Sequence, residues 1–279
     1  MKVREGPSYR IRAALESPTG ADRRLHVAHF VQRFPPALGG SEAYTARLCE
    51  HLVARGDAVT VWTSDAIELC EMWAKRTSPP AHPSKRGRSS LPPCLGEGVE
   101  GSGCVRRFSP LHFRARRYVL KALSLLPLRR WQCLTTPCNP VCPRMWRAAG
   151  DFSGPLDAVH ATAFPYSFPI ACGLRLARRR RVPFLLTPFL HLGDPTDPAD
   201  RTRKQYTKPH LKWLLKQADC VFVQTRAERD TAVSLGVAAE RVILQGLGVE
   251  PSECTGGDRA AVRAAWGASS DEVVIGHLA

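Results

Sequence analysis

The 279-residue chain contains no uninterrupted apolar run of about 18 residues, so nothing in it reads as a membrane-spanning helix. Met1 to Arg24 carries Lys2, Arg4, Glu5, Arg10, Arg12 and Glu16 without a sustained apolar core, which argues against a secretory signal and reads as a flexible extension. The ten cysteines include no C-x-x-C pair. Cys133, Cys138 and Cys142 follow one another at x4 and x3 spacing, with Cys94 and Cys104 upstream, but no His stands at zinc-finger distance, so no metal site is expected. Reduced thiols are the expectation without an export signal, with Cys49, Cys70, Cys172 and Cys220 as small core residues. Acidic residues are also scarce: 25 Asp and Glu face 40 Lys and Arg, and none falls between Val105 and Arg147. That imbalance favours polyanionic partners. It lacks interleaved aromatics or a reader motif, so nucleic acid is an unfavoured partner.

What is present is clearest from Leu25 to Asp65. Leu25, Val27, Phe30 and Val31 form a short apolar run suited to a strand buried in a parallel sheet. Arg33, Phe34, Pro35 and Pro36 end it, because proline offers no N–H to a ladder. Gly39 and Gly40 then allow close approach to the main chain, and Ser41 is the expected N-cap of a helix running to Arg55. Tyr44, Leu48, Leu52 and Val53 recur at helical spacing as its expected buried stripe, Gly56 supplies the C-terminal stop, and Ala58 to Thr63 resumes a strand. Free amides at a helix start favour an anion, so Gly39, Gly40 and Ser41 are candidates to bind a diphosphate or carboxylate. The loop is neither G-x-G-x-x-G nor G-x-x-x-x-G-K-[ST], which disfavours a dinucleotide fingerprint or a P-loop. The competing reading is a Gly-Gly turn that only lets helix and strand pack.

Ala158 to Ala161, Phe184 to Thr187 and Cys220 to Gln224 are further short apolar strands, each followed by a turn and a helical pattern. Together with the first unit they predict a doubly wound parallel α/β sheet. Ligands collect at the C-terminal ends of such strands, and His160, His191 and Thr225 fall at or just past those ends. A lone His there is as readily a hydrogen-bonded structural residue. Asp194 either orients His191, contacts substrate hydroxyls, or serves as a turn residue in GDPTDPAD.

Residues 75–151 depart from a compact domain. Thr77 to Gly103 is rich in Pro, Ser and Gly and reads as a loop, and Val105 to Phe108 is expected as an edge strand. Phe113 to Leu126 sets Phe113, Val119, Leu120, Leu123 and Leu126 against Arg114, Arg116, Arg117 and Lys121. Such a basic amphipathic helix suits an anionic membrane surface, the alternative being a packed surface helix with a solvated charged side. The expected location is cytoplasmic, peripheral where the protein meets the inner membrane face.

RFPPALGGSEAYTARLCEHLVARGDAVTVWTSD at Arg33 to Asp65 resembles the N-terminal signature of retaining glycosyltransferase family 4. DAVHATAF, PFLLTPFLHLGD, ADCVFVQTRAERD and RVILQGLGVE follow in that family's order, ending at Glu250. The resemblance implies a GT-B enzyme with two Rossmann-like domains, the first holding mainly the acceptor and the second mainly a nucleotide-sugar donor. It implies His191 near the acceptor hydroxyl, and no cofactor, since the nucleotide-sugar is a co-substrate. The implied layout is an extension over 1–24, the acceptor-side domain over 25–250, and the start of a donor-side domain over 251–279. In that last part Arg259 to Trp266 reads as a helix and Asp271 to Leu278 as a strand. The donor-side E-x7-E pair of the family is not expected within it, so the chain is read as a fragment. Glu42 and Glu50 show that spacing only in the first domain, Glu42 facing the cleft and Glu50 solvated. Two other readings are a non-catalytic acceptor- or polyanion-binding module and a GT-B sugar-nucleotide epimerase.

Overall fold

Short strands that are apolar on both faces need helices on each side, and a parallel sheet with crossover connections provides them. The computed structural model describes residues 23–74, 96–97, 103–194, 196–197, 199–249 and 251–275. The extension before Arg23 and most of the expected loop from Thr77 to Gly103 lie outside these residues. The chain divides into two units, 1–245 and 246–279.

The first unit is a Rossmann-like, doubly wound α/β sheet. Its strands are β1 (His26–Phe30), β2 (Ala58–Ser64), β3 (Gly96–Glu97), β4 (Gly103–Phe108), β5 (Ala158–Thr162), β6 (Phe184–Thr187), β7 (Cys220–Val223) and β8 (Val242–Leu244). All pairings are parallel, in the order β3-β4-β2-β1-β5-β6-β7-β8. β4 was expected at the sheet edge. The two-residue β3 takes that place instead, and both edges of β4 acquire neighbours.

The helices of this unit are α1 (Gly40–Ala54), α2 (Arg116–Ser124), α3 (Arg129–Thr135), α4 (Pro143–Asp151), α5 (Ser167–Arg180), α6 (Arg201–Tyr206), α7 (Pro209–Gln217) and α8 (Arg226–Ser234). Ala28 and Phe30 of β1 face the larger core, where Phe30 stacks on its register partner Trp62 at 5.1 Å. α5 covers this face. A Cβ on Gly173 would come within 3.1 Å of the Phe30 ring, so glycine sets how closely α5 approaches. On the other face Val31, Val59, Val61 and Val105 pack with Ala46 and Cys49 of α1.

The sheet does not bury the expected stripe of α1 most deeply. Glu42, Thr45, Ala46 and Cys49 are its buried residues, while Tyr44, Leu48, Leu52 and Val53 are half-buried. Small side chains let the helix lie close to the sheet, and the large ones spread along its flanks. Cys70 also departs from expectation, being exposed in a short 3-10 turn, whereas Cys49, Cys172 and Cys220 are buried.

The described part of the insertion is more structured than its composition suggests. Arg116, expected on the charged side of α2, is buried, and its guanidinium donates to the carbonyls of Pro137 at 3.1 Å and Asn139 at 2.6 Å. The Asn139 side chain donates to Cys133 O and Ser167 Oγ and accepts from Phe168 N, fastening the insertion to the start of α5.

Three aspartates just before strands hold the sheet's N-terminal edge. Asp57 Oδ1 accepts from Leu25 N–H at 2.9 Å, Asp157 Oδ2 from His26 N–H at 2.9 Å, and Asp219 Oδ2 from Phe184 N–H at 2.8 Å. For Asp157 and Asp219 the clamp is reciprocal, because their own N–H groups donate to His26 O and Phe184 O.

The second unit contains α9 (Pro251–Cys254) and α10 (Arg259–Trp266), the latter capped by Asp258, which accepts from Ala261 N–H at 2.9 Å. The strand expected over Asp271 to Leu278 is absent from its described part, 271–275. Val273 and Ile275 are 89% and 90% exposed. An apolar strand needs neighbours to bury its faces, and the described residues of this unit include no other strand.

The Asp219 clamp predicts that Asp219→Ala lowers unfolding stability by about 1.5 to 3 kcal/mol, the usual worth of a hydrogen bond to a charged group. Urea unfolding should show a lower midpoint at unchanged slope, and an unchanged midpoint would contradict the clamp.

Candidate functional site

Between β1 and β5 the winding reverses: from β1 the chain steps outward to β2, whereas from β5 it steps the other way to β6. The crossovers leave in opposite directions there, opening a crevice beyond the strands' C-terminal ends.

The end of β1 feeds a buried charged cluster. The Arg33 guanidinium pairs with Glu42 at 2.7 Å, with side-chain exposures of 8% and 2%. Arg33 also donates to Ile67 O at 2.7 Å and Leu38 O at 3.1 Å, tying down the loop before α1. Gln32 donates to Ser41 Oγ at 2.8 Å and to Glu42 at 3.2 Å, and Ser41 Oγ donates to Glu42 at 2.8 Å. Ser41 is therefore not the N-cap; Gly39 is, and Ser41 lies inside the first turn. Glu42, expected toward the cleft, points inward because Arg33 and Gln32 supply its partners.

The two glycines have separate reasons. A Cβ on Gly39 would overlap the Glu42 carboxylate, whereas one on Gly40 would meet nothing within 4 Å. Gly39 makes room for the buried pair, and the main chain at Gly40 is open to approach. Glu42 places a negative charge in the first turn of α1, and Arg33 balances it.

Behind this loop lies a polar chain beneath α1. His160 is central in β5, 3% exposed, with Nδ1 at 3.0 Å from His29 Nδ1 and Nε2 at 2.8 Å from Thr187 Oγ1. The Tyr44 hydroxyl hydrogen-bonds Thr187 and donates to Gln245 Oε1 at 2.9 Å. His29 Nε2 is buried with no hydrogen-bond partner. Burial lowers the pKa of His160 to about 4, and burial together with the neighbouring His160 lowers that of His29, so both rings are neutral near pH 7.

Tyr44 also joins the two sides of the crevice. Its ring meets Phe189 edge-on at 5.1 Å, on the loop that carries His191 out of β6. Phe189 has φ 49° and Ala163, just past β5, has φ 72°. Non-glycine residues in that region cost about 1 to 3 kcal/mol each and collect at functional sites. His191 is exposed, its ring 4.8 Å from Tyr206, whose hydroxyl burial pushes up to about 12.

Asp194 and Thr225 have local partners. Asp194 Oδ1 accepts from the N–H and hydroxyl of Thr196 at 2.8 and 2.6 Å, bonds that hold its carboxyl below the usual range. Thr225 is the N-cap of α8, accepting from Glu228 N–H at 3.2 Å. The structure thus groups Gly39, Gly40, Ser41 and, through Tyr44, His160 and the His191 loop. None of Arg33, Tyr44, Thr187, Ala163 and Phe189 was among the residues expected at the site; of these, Arg33 offered a signal, as a charge between a buried strand and a Pro-Pro turn.

The profile of the glycosyl transferase 4-like domain matches residues 39–248, starting at the first glycine of the loop and running past α8. The chain belongs to that family. A search among curated proteins finds no significant match. The glycosyl transferase 4-like assignment fits the GT-B N-terminal type of sheet seen here. Among the described residues no group of three His, Cys, Asp or Glu could hold a metal ion, and no helix is long and apolar enough to cross a membrane.

Two outcomes follow. Arg33→Met leaves Glu42 buried and unpaired and should cost about 3 to 5 kcal/mol, whereas Arg33→Met with Glu42→Leu should recover most of that loss; equal losses in both variants would contradict the pairing. Because the folded pKa of His160 lies below its ordinary 6.5, the unfolded chain binds more protons as pH falls, so stability is lost from about pH 6.5 down to about pH 4. NMR titration should find the His29 and His160 rings neutral at pH 6; a midpoint near 6.5 for both would overturn this.

Proposed function

We propose that this glycosyltransferase moves a sugar from a nucleotide-sugar to an acceptor hydroxyl with retention of anomeric configuration, and that residues 25–250 form the acceptor-side wall. The observation that carries this reading is the Tyr44–Phe189 contact, which holds the Gly-Gly loop and the His191 loop over the β1/β5 crevice within a family of sugar-transferring domains. The bond from the anomeric carbon to the leaving diphosphate breaks as the acceptor oxygen bonds from the same face. The acceptor's proton passes to the departing phosphate oxygen. Amides around Gly39 and Gly40 stabilise the diphosphate or hold the acceptor. His191 donates a hydrogen bond to the oxygen of the attacking hydroxyl and orients it, leaving that hydroxyl's proton directed at the phosphate. Ser41 and His160 are positioning residues, the first through Gln32 and Glu42, the second through Thr187 and Tyr44. Asp194 and Thr225 fix the loops at the rim. The nucleotide-sugar is consumed as a co-substrate, and the work is done at an anionic membrane surface reached through the basic region around α2.

Transfer from a panel of nucleotide-sugars, with NMR of the product's anomeric proton, tests this reading. His191→Ala should lower kcat about a hundredfold or more with KM little changed. An inverted product would overturn the stereochemical claim, and wild-type kcat in the variant would remove His191 from the reaction.

A further inference from the structure

On the side of the sheet away from α1, an open groove of about 960 Å³ runs between α3, α4, α5 and α7. Its floor is apolar: Trp146, Trp213, Leu134 and Leu174. Its rim is basic. The Arg175 guanidinium lies 4.5 Å above the Trp146 ring and that of Arg130 lies 5.8 Å from the Trp213 ring, so each indole carries a cation on its face, and both arginines are exposed. No acidic side chain lines the groove.

The groove opens beside an apolar surface. Leu125, Leu126 and Leu128, on the connection from α2 to α3, are 77%, 48% and 63% exposed. The connection is held in place, since Trp131 Nε1 donates to Leu123 O at 2.9 Å and Gln132 to Ser124 O at 3.1 Å. Aliphatic side chains in water beside a Trp-floored, arginine-rimmed groove match a ligand with a hydrocarbon body and an anionic head. Single-stranded nucleic acid would use the indoles and arginines but has no use for exposed leucines. A helix lying in a bilayer interface uses all three.

We infer that this groove binds an anionic phospholipid of the membrane the protein docks to, with an acyl chain along the Trp146–Trp213 floor and the phosphate between Arg130 and Arg175. The site rests on the membrane reading above and deepens it: docking through α2 is a surface contact, whereas the groove takes up one lipid. Leu125, Leu126 and Leu128 enter the interface beside it. The residues involved lie apart from the crevice beyond β1 and β5, so the lipid is an anchor and not the sugar acceptor.

The test uses the 279-residue chain with Trp73→Phe and Trp266→Phe, which leaves Trp131, Trp146 and Trp213 as its tryptophans outside the sheet. Flotation on phosphatidylcholine vesicles containing phosphatidylglycerol, compared with phosphatidylcholine alone, reads docking. Quenching of tryptophan fluorescence by acyl chains brominated near the headgroup reads the groove. The expected result is binding to the anionic vesicles only, with quenching. Arg130→Gln with Arg175→Gln should weaken binding about twenty-fivefold, about fivefold for each charge. Both changes are at exposed positions, and far-UV circular dichroism verifies the fold. Binding without quenching, or binding unmoved by the double variant, would overturn the groove and leave surface docking standing. Failure to bind anionic vesicles, with or without binding to a single-stranded oligonucleotide, would overturn both.

Discussion

The side-by-side pairing of β1 and β5 is the constraint on which the rest depends. Val27 to Phe30 align with Ala158 to Ala161, so two strands far apart in sequence become the middle of the sheet. Their crossovers leave in opposite directions, and the crevice follows from that geometry. The pairing is held along its length. Asp157 clamps the strand starts through main-chain and side-chain bonds, and His29 meets His160 across the pair midway. A neutral imidazole pair is how a buried polar contact survives between two apolar strands, because ionising either ring there is disfavoured by desolvation.

Around the crevice, polar groups set backbone position more than they confer stability. Burying Arg33 and Glu42 costs desolvation that their attraction roughly offsets. What the pair does is fix geometry: Arg33 reaches Ile67 O and Leu38 O, Glu42 reaches Ser41 and Gln32, and the Gly39 main chain is drawn over the carboxylate. The strained backbones of Ala163 and Phe189 stand at the ends of β5 and β6. They are held by Ala163 N–H to Thr187 O at 3.1 Å and Phe164 N–H to Pro188 O at 2.9 Å. A loop over-determined in this way presents His191 from a rigid base.

The strands β1, β2, β5, β6 and β7 were legible because each is a short apolar run closed by a turn, whereas the two-residue β3 falls inside the stretch read as a loop; Phe184–Thr187 and the helix Arg259–Trp266 have the bounds their sequences suggest. The stripe of α1 was not, because helical spacing counts large apolar residues while the sheet selected Ala46 and Cys49 for their size. Glu42 was misread for a related reason: a charge three residues into a helix reads as exposed until Arg33, from another element, is known to face it. Asp194 and Thr225 were visible as polar residues near strand ends, but their partners, Thr196 and the amide of Glu228, are local turn and cap contacts. His160 was placed at a strand end by its neighbours and lies mid-strand, because β5 continues to Thr162. The insertion was read from its charge, which hid Arg116 as a buried donor and Asn139 as the link to α5.

The central claim is that sugar transfer occurs over the C-terminal ends of β1 and β5, with the Gly-Gly loop and the His191 loop as its near wall. Amide hydrogen exchange, with and without a nucleotide-sugar panel and candidate acceptors, measures this directly. Ligand should slow exchange at the amides of Gly39 to Ala43 and of Phe189 to Leu192 while β3, β4 and β8 are unchanged. Ligand-dependent protection elsewhere, with both loops unaltered, would contradict the account.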